Sequence, residues 1–545
     1  MTAPDTKAKT AELTVPHPDG ATLPGAGFVA ASARERRLSW LLFVVSWVTF
    51  AYFVQGPGPN QNSRFDLVRS VVELGTFSID RYANNTFDKA AFGGRTFSDK
   101  APGLSFASIP PYWVWTKIRH VEQVKRSSNR TSLYLLTVLL VGFTSALASM
   151  AVFLSLRRLF VRTSAALAAV VAWQIGTNAL AYSTLYVSHQ FVAGLLACAF
   201  ALVLAVARRH EIAPRRRLVF LAAAGFACGW SVISEYPSSI AVLAITVYGV
   251  IRVGPKRMIP FVVAAVPPVA LLAVYNHVCF GSVFRIGYSN IATPAFRAVQ
   301  ETGFFGITIP TPEGLSGVLF GEYRGLFTLF PVLTLALPGF VVLLRSEDSR
   351  AEGIVATAVT VLGYLVVASY AMWDGGAAFG PRHMVPVLPF AALGLGATFD
   401  AVVRMKSAVR PAVLAGAVVL AGVSVGISVV TTSVFPELPE ARDMRDPDDA
   451  NLSPISRLVL PRFVRDIVSD KAALEEGVIG SAVIFPGHDR DAFNLGEVSG
   501  LAGRASLLPL LVLWTLAGVA AIGIQRVRST GRVVPRSGSR PDITA

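Results

Sequence analysis

Apolar stretches close to 20 residues long, about the length a helix needs to cross a bilayer, recur from residue 38 almost to the end of this chain. "LSWLLFVVSWVTFAYFV" from Leu38 and "TSLYLLTVLLVGFTSALASMAVFLSL" from Thr131 are two of them. A soluble domain has no interior large enough for so many helices that are apolar all round. The composition agrees: 53% of residues are hydrophobic, only 15% are charged, and the mean hydropathy is +0.54. The sequence therefore predicts an all-α polytopic membrane protein, with about 12 spans by the length criterion. Residues 1–37 form a polar leader rich in Thr, Ala and Pro, expected to be disordered. The span that follows reads as a retained anchor. Cys198, Cys228 and Cys279 lie far apart, with neither a disulfide framework nor metal-ligand spacing.

The chain carries a net charge of +15, which in a soluble protein would suggest nucleic acid. Here the arginines sit between spans. They cluster at Arg34, Arg36 and Arg37, at Arg157, Arg158 and Arg162, at Arg208 to Arg217, at Arg252 to Arg257, at Arg404 to Arg410, and in the tail 526–545. Short basic loops mark the cytoplasmic face, so the charge reports topology and points away from nucleic acid. The complementary loops, 56–103, 279–325 and the acidic 433–503, are then expected outside, with a last span over 504–525. One segment leaves the parity open. The apolar piece 104–118 is short and contains Pro110-Pro111, so it reads either as a broken spanning helix or as a re-entrant one.

With that orientation, costly polar residues gather at outward span ends: His189, Glu235 with Tyr236, Tyr323 with Arg324, Trp373 with Asp374, and Arg382 with His383. Singly, each has an ordinary explanation as a headgroup anchor or a helix breaker. Their agreement in side suggests one shared site. The first outer loop adds "SRFDLVRSVVELG", which puts Leu67, Val68, Val71, Val72 and Leu74 on one helical face and Asp66, Arg69 and Glu73 on the other, a pattern for a helix lying on the membrane surface. Asp80, Asp88, Asp99 and Lys100 follow. A lysine among carboxylates at the water–lipid boundary suits a lipid-tailed phosphate, with an aspartate as base or metal ligand. No Walker A, HExxH or CxxC motif occurs.

The order of these elements resembles the bacterial multi-spanning glycosyltransferases of the GT-C superfamily, which include protein O-mannosyltransferases and the aminoarabinose transferases of lipid A. The motifs are a first span, an outer loop with carboxylates, "SDKAPG", then "AYSTLYVSH", "SEYPS", "EYRGLFTLFPVL", "WDGGAAFGPRHMVPVLP" and "NLGEVSGLAGRASLLPLL", from about Ser39 to Trp514. The resemblance implies a GT-C-like bundle of about 11–13 spans with interfacial helices in the first outer loop. It also implies transfer of a sugar from a polyprenyl-phosphate donor to a cell-envelope glycan, lipid or protein acceptor at the outer face of the cytoplasmic membrane.

By the same resemblance Lys100 binds the donor phosphate, joined by Arg324 and Arg382. The base is a first-loop aspartate, Asp80 or Asp66. Asp99, His189, Glu235, Tyr236, Tyr323, Trp373, Asp374 and His383 line the sugar and acceptor pocket, and a divalent metal, Mg or Mn, would fall to Asp80, Asp88 and Asp99. The rival reading, a transporter or flippase of a lipid-linked anionic glycan, predicts internal repeats and a midplane site. Neither is visible in the sequence.

Overall fold

The computed structural model describes residues 32–119, 126–208, 212–438, 453–469 and 492–526. Most of the predicted leader, the acid-rich part of 433–503 and the basic tail beyond Arg526 lie outside the described residues. The principal helices are α1 (Ala33–Ala51), α2 (Pro59–Leu74), α3 (Gly103–Arg119), α4 (Arg130–Arg158), α5 (Thr163–Gln174), α6 (Ser188–Ala207) and α7 (Pro214–Ser234). They continue with α8 (Tyr236–Val253), α9 (Lys256–Phe280), α10 (Pro331–Arg345), α11 (Arg350–Ala368), α12 (Arg382–Arg404), α13 (Arg410–Val434) and α14 (Gly503–Arg526). Among the described residues, nine helices are long and apolar enough to cross a membrane, and α5 and α10 are shorter apolar helices.

Helix α1 traverses the bundle antiparallel to α4. Glu35 pairs with Arg157 at one end, and the Tyr134 hydroxyl donates to the Ala51 carbonyl at the other. Each later helix then runs opposite to the one before it. The interhelical arginine clusters therefore collect at one end, the basic end, and the long polar loops collect at the other.

This geometry closes the open parity. Helix α3 starts at the loop end, where Trp230 Nε1 donates to the Gly103 carbonyl, and α4 also begins there, beside Ala51. Helix α3 does not traverse. It lies along α2, with Phe65 and Tyr112 edge to face at 5.3 Å and the Tyr112 hydroxyl 2.7 Å from Glu73. Pro110 and Pro111 sit inside it. Of the twelve helices α1 and α4 to α14, the nine other than α1, α5 and α10 are long and apolar enough to cross a membrane.

Helices α12 and α6 form the centre, with 89% and 78% of their apolar windows buried; α13 and α14, at 11%, form the rim. Where α7 meets α9 the backbones touch: a Cβ on Gly225 or Gly229 would strike the Phe261 or Ala265 carbonyl, the close approach that small residues permit between membrane helices. On its other side α9 presents Val262, Val263, Val266, Val269, Val274 and Val278, all exposed, as a lipid-facing stripe requires.

The loop end is built from two short antiparallel sheets. β1 (Phe53–Val54) pairs with β4 (Phe493–Asn494), and β2 (Lys89–Phe92) with β3 (Arg95–Ser98). Helix α2 differs from its sequence pattern. Its polar side is buried except at the last turn, where Glu73 is exposed: Gln61 to Ser70 are all buried, Asp66 and Arg69 included, because α3 covers one face and the β2–β3 hairpin another. Its polar groups are paired internally, Arg69 with Glu73 at 3.1 Å and Asn85 Nδ2 with Asp66 Oδ1 at 3.1 Å.

Candidate active site

The hairpin and α2 bring the first-loop charges to the edge of the bundle. Lys100 Nζ stands 3.2 Å from Asp88 Oδ1 and 3.3 Å from Asp99 Oδ2. Burial pushes the Asp99 carboxyl up to about 6 against the pull of Lys100, and its Oδ1 has no partner. The second outer loop closes over this group: the Gly287 backbone packs on that of Asp99 where no Cβ would fit, and Ala292 N donates to the Lys89 carbonyl at 2.9 Å.

Beside it lies a second cluster centred on Glu235, just past the C-terminus of α7. Its Oε1 receives the Ser188 hydroxyl, faces Arg64 Nη2 at 3.4 Å and stands 3.3 Å from His189 Nδ1. Arg64 is held in place by Asn60 Oδ1 and the Ala101 carbonyl, each at 3.0 Å. His383 stands edge-on to His189 at 5.3 Å and to Tyr370 at 5.5 Å. Arg382, next in chain, has a buried Nε without a partner. Among the described residues no hydrogen bond or ion pair engages its side chain. Lys100 and Arg382 both lie in the neighbourhood of His189, His383 and Tyr370.

Of these residues His189, Glu235, Tyr370 and His383 line a cavity of about 540 Å³. Its polar end is formed by His189, Glu235, Tyr236, Tyr288, Gln300, Tyr370 and His383. Its apolar walls are Leu196 of α6, Ile240 and Ala241 of α8, Val366 and Val367 of α11 and Val387 of α12, roofed by Phe284, Phe304 and Phe305 of the second outer loop. Phe284 and Phe304 are also strongly exposed, at 90% and 73%. One end of the space can pair with hydroxyls and charge, and the other can only bury hydrocarbon.

The structure brings Lys100, Asp88, Asp99, Arg382, His189, Glu235, Tyr236 and His383 into one neighbourhood, and it separates the remaining candidates. Asp80 is exposed at the hairpin, with Oδ2 taken by the Ser78 hydroxyl at 2.5 Å and Oδ1 by Thr96 N at 2.7 Å. Asp66 is buried within α2's own contacts and does not line the cavity; burial pushes its carboxyl up to about 8. Arg324, expected on phosphate, is fully buried and donates to the carbonyls of Ala378, Gly376 and Leu438 and to the Tyr323 hydroxyl. With both Nη groups bound to backbone carbonyls, this guanidinium ties down the loop 376–378. Asp374 Oδ1 accepts from Gly376 N within that loop, and the Trp373 ring packs on the Gly317 backbone.

The residues proposed for a divalent metal do not fit one. Among the described residues no three His, Cys, Asp or Glu side chains converge on a common point. Asp80 lies elsewhere, and the ammonium of Lys100 already occupies the focus of Asp88 and Asp99. Sequence reasoning missed Arg64, Tyr288, Gln300 and Tyr370. The first offered a signal, a charge inside an amphipathic helix. The others are common loop residues without one.

No family model and no curated protein matches the chain. Among solved structures it is similar to ArnT from Cupriavidus metallidurans bound to undecaprenyl phosphate, at 16% identity and a TM-score of 0.44 over 91% of this chain and 77% of that one. It is also similar to the archaeal oligosaccharyltransferase AglB from Archaeoglobus fulgidus in complex with an inhibitory peptide and a dolichol-phosphate, at 13% identity and a TM-score of 0.44 over 85% of this chain and 62% of that one. At such identities the likeness assigns no role to any residue of this chain.

Proposed function

We propose that this protein is an integral membrane glycosyltransferase of the outer face of the cytoplasmic membrane. It takes a sugar from a polyprenyl-phosphate donor and passes it to a cell-envelope glycan, lipid or protein. The observation that carries the reading is the join of two environments: the charged group of Lys100, Asp88 and Asp99, with Arg382 in its neighbourhood, and a cavity whose polar lining gives way to apolar side chains of membrane helices. A phosphate oxygen would satisfy the buried Arg382 Nε that has no partner and would add a charge-assisted bond to the Lys100 ammonium. A prenyl chain fits the wall formed by α6, α8 and α11, and sugar hydroxyls find paired polar partners at Tyr236, Tyr288, Gln300 and Tyr370.

When the bond from the anomeric carbon to the phosphate oxygen breaks, charge builds on the phosphate, so Lys100 and Arg382 act on the transition state more than on bound donor. Asp88 and Asp99 keep the Lys100 ammonium charged and aimed while the site is empty. No step needs a metal. The test is turnover by the purified protein of labelled undecaprenyl-phosphate sugars. Transfer or release of sugar that falls with Lys100→Ala and Arg382→Ala, in protein that still folds, supports the reading. Donor binding with no turnover of any donor would point to a transporter of lipid-linked glycans.

A further inference from the structure

We infer that His189, backed by Glu235, takes the proton from the acceptor, and that no aspartate of the first outer loop does so. The inference rests on the transferase reading above. A base must reach the acceptor hydroxyl, and none of the four loop carboxylates lines the cavity. Asp80 is exposed with both oxygens engaged, Asp66 is bonded to Asn85 away from the cavity, and Asp88 and Asp99 converge on Lys100.

His189 and Glu235 both line the cavity. Glu235 Oε1 stands 3.3 Å from the imidazole Nδ1 as an ion-pair contact, and a carboxylate beside that nitrogen favours the tautomer that leaves the lone pair on Nε2. Ser188 and Arg64 meet the same oxygen, so Glu235 is held in one orientation by side chains from α6 and α2. The imidazole in turn is wedged between Tyr182 at 5.9 Å and His383 at 5.3 Å.

In the step this implies, the acceptor O–H proton moves to Nε2 of His189 and the acceptor oxygen bonds to the anomeric carbon. The bond from that carbon to the phosphate oxygen breaks, and its electron pair leaves on the polyprenyl phosphate. Water then takes the proton from the imidazolium, which Glu235 has stabilised.

Azide separates a base from a residue that merely holds the pocket, since it attacks carbon without giving up a proton. With labelled undecaprenyl-phosphate sugars and full-length protein in detergent, water gives free sugar and azide gives glycosyl azide. His189→Ala and Glu235→Gln should lower free-sugar release by about 100-fold while glycosyl azide forms within about threefold of wild type. Lys100→Ala should lower both products. His189→Asn provides a second variant of similar size, and retained binding of labelled donor shows that each variant is folded. Equal loss of both products in folded His189 variants would overturn the inference. So would an azide-rescued loss in Asp66→Asn, Asp80→Asn or His383→Gln. If the wild type turns over none of the donors with either nucleophile, the transferase reading itself fails and the base assignment falls with it.

Discussion

The two ends of the bundle hold ion pairs of opposite kinds. At the basic end they are matched and closed. Arg208 grips both oxygens of the buried Glu352 at 3.0 and 2.7 Å, with the Tyr248 hydroxyl adding a bond at 2.6 Å, and Arg157 meets Glu35 at 2.8 Å. Around the cavity at the loop end, apart from the closed Arg69–Glu73 pair of α2, they are unbalanced. Lys100 serves two carboxylates, one oxygen of Glu235 accepts from Ser188 and Arg64 with His189 Nδ1 3.3 Å away, and Arg382 has no hydrogen-bonded partner among the described residues. A closed pair is held by its own geometry and has no valence for a ligand. An unbalanced set costs free energy until a guest completes it. The difference separates lock from site within one molecule.

That contrast can be broken in several ways, the largest effect first. Arg382→Ala should cut turnover of a lipid-phosphate sugar by roughly 100- to 1000-fold with little change in thermal unfolding; a strong loss of stability would make Arg382 a lock. Glu352→Ala should do the reverse, since it leaves a buried guanidinium unpaired. It should lower stability by about 3–5 kcal/mol and leave the turnover of the folded fraction near wild type, measured by detergent melts alongside initial rates. Arg324→Ala should resemble Glu352→Ala, losing stability but not donor affinity in a direct binding assay; a raised donor Kd would return Arg324 to the phosphate site.

A smaller effect is expected from pH. Asp66, raised to about 8, holds its proton more tightly folded than unfolded. Its contribution to stability is therefore complete at pH below the ordinary aspartate value and is lost as pH rises towards 8, by up to about 1.4 kcal/mol per pH unit. Asp66→Asn should flatten this slope and raise the unfolding temperature at pH 8; an unchanged profile would show that Asp66 is not buried as described. The smallest effect belongs to Asp80→Asn, where turnover should stay within about twofold of wild type, because the carboxylate is exposed and only caps the hairpin.

The pattern of spans could be read directly from residues. Each span is a local fact, some 20 consecutive apolar side chains, and each basic loop fixes the side of its neighbours. "SDKAPG" likewise drew attention to Lys100, because a charge at a lipid boundary is costly wherever the rest of the chain goes. Other features were illegible for physical reasons. The pattern of α2 promised a wet polar face, but burial depends on what covers a helix, and α3 with the hairpin cover this one. "EYRGLF" and "GPRHMV" both offer an arginine at a span end, yet one is consumed by carbonyls near Ala378 and the other is left over. The choice between them is made by a loop more than 50 residues from Arg324, Gly376 to Ala378.

The sequence by itself determined a bundle of membrane helices, the end on which its costly charges lie, and the residue types available there, because hydrophobic length and charge asymmetry act locally along the chain. Only the tertiary structure decided which charges meet. Lys100, Arg382, Glu235 and His189 come from four distant segments, and a few ångströms separate a carboxylate that pairs, one that caps a turn, and one that faces a cavity. Coulomb and hydrogen-bond energies change over that distance by as much as a whole contact, and no one-dimensional pattern records it.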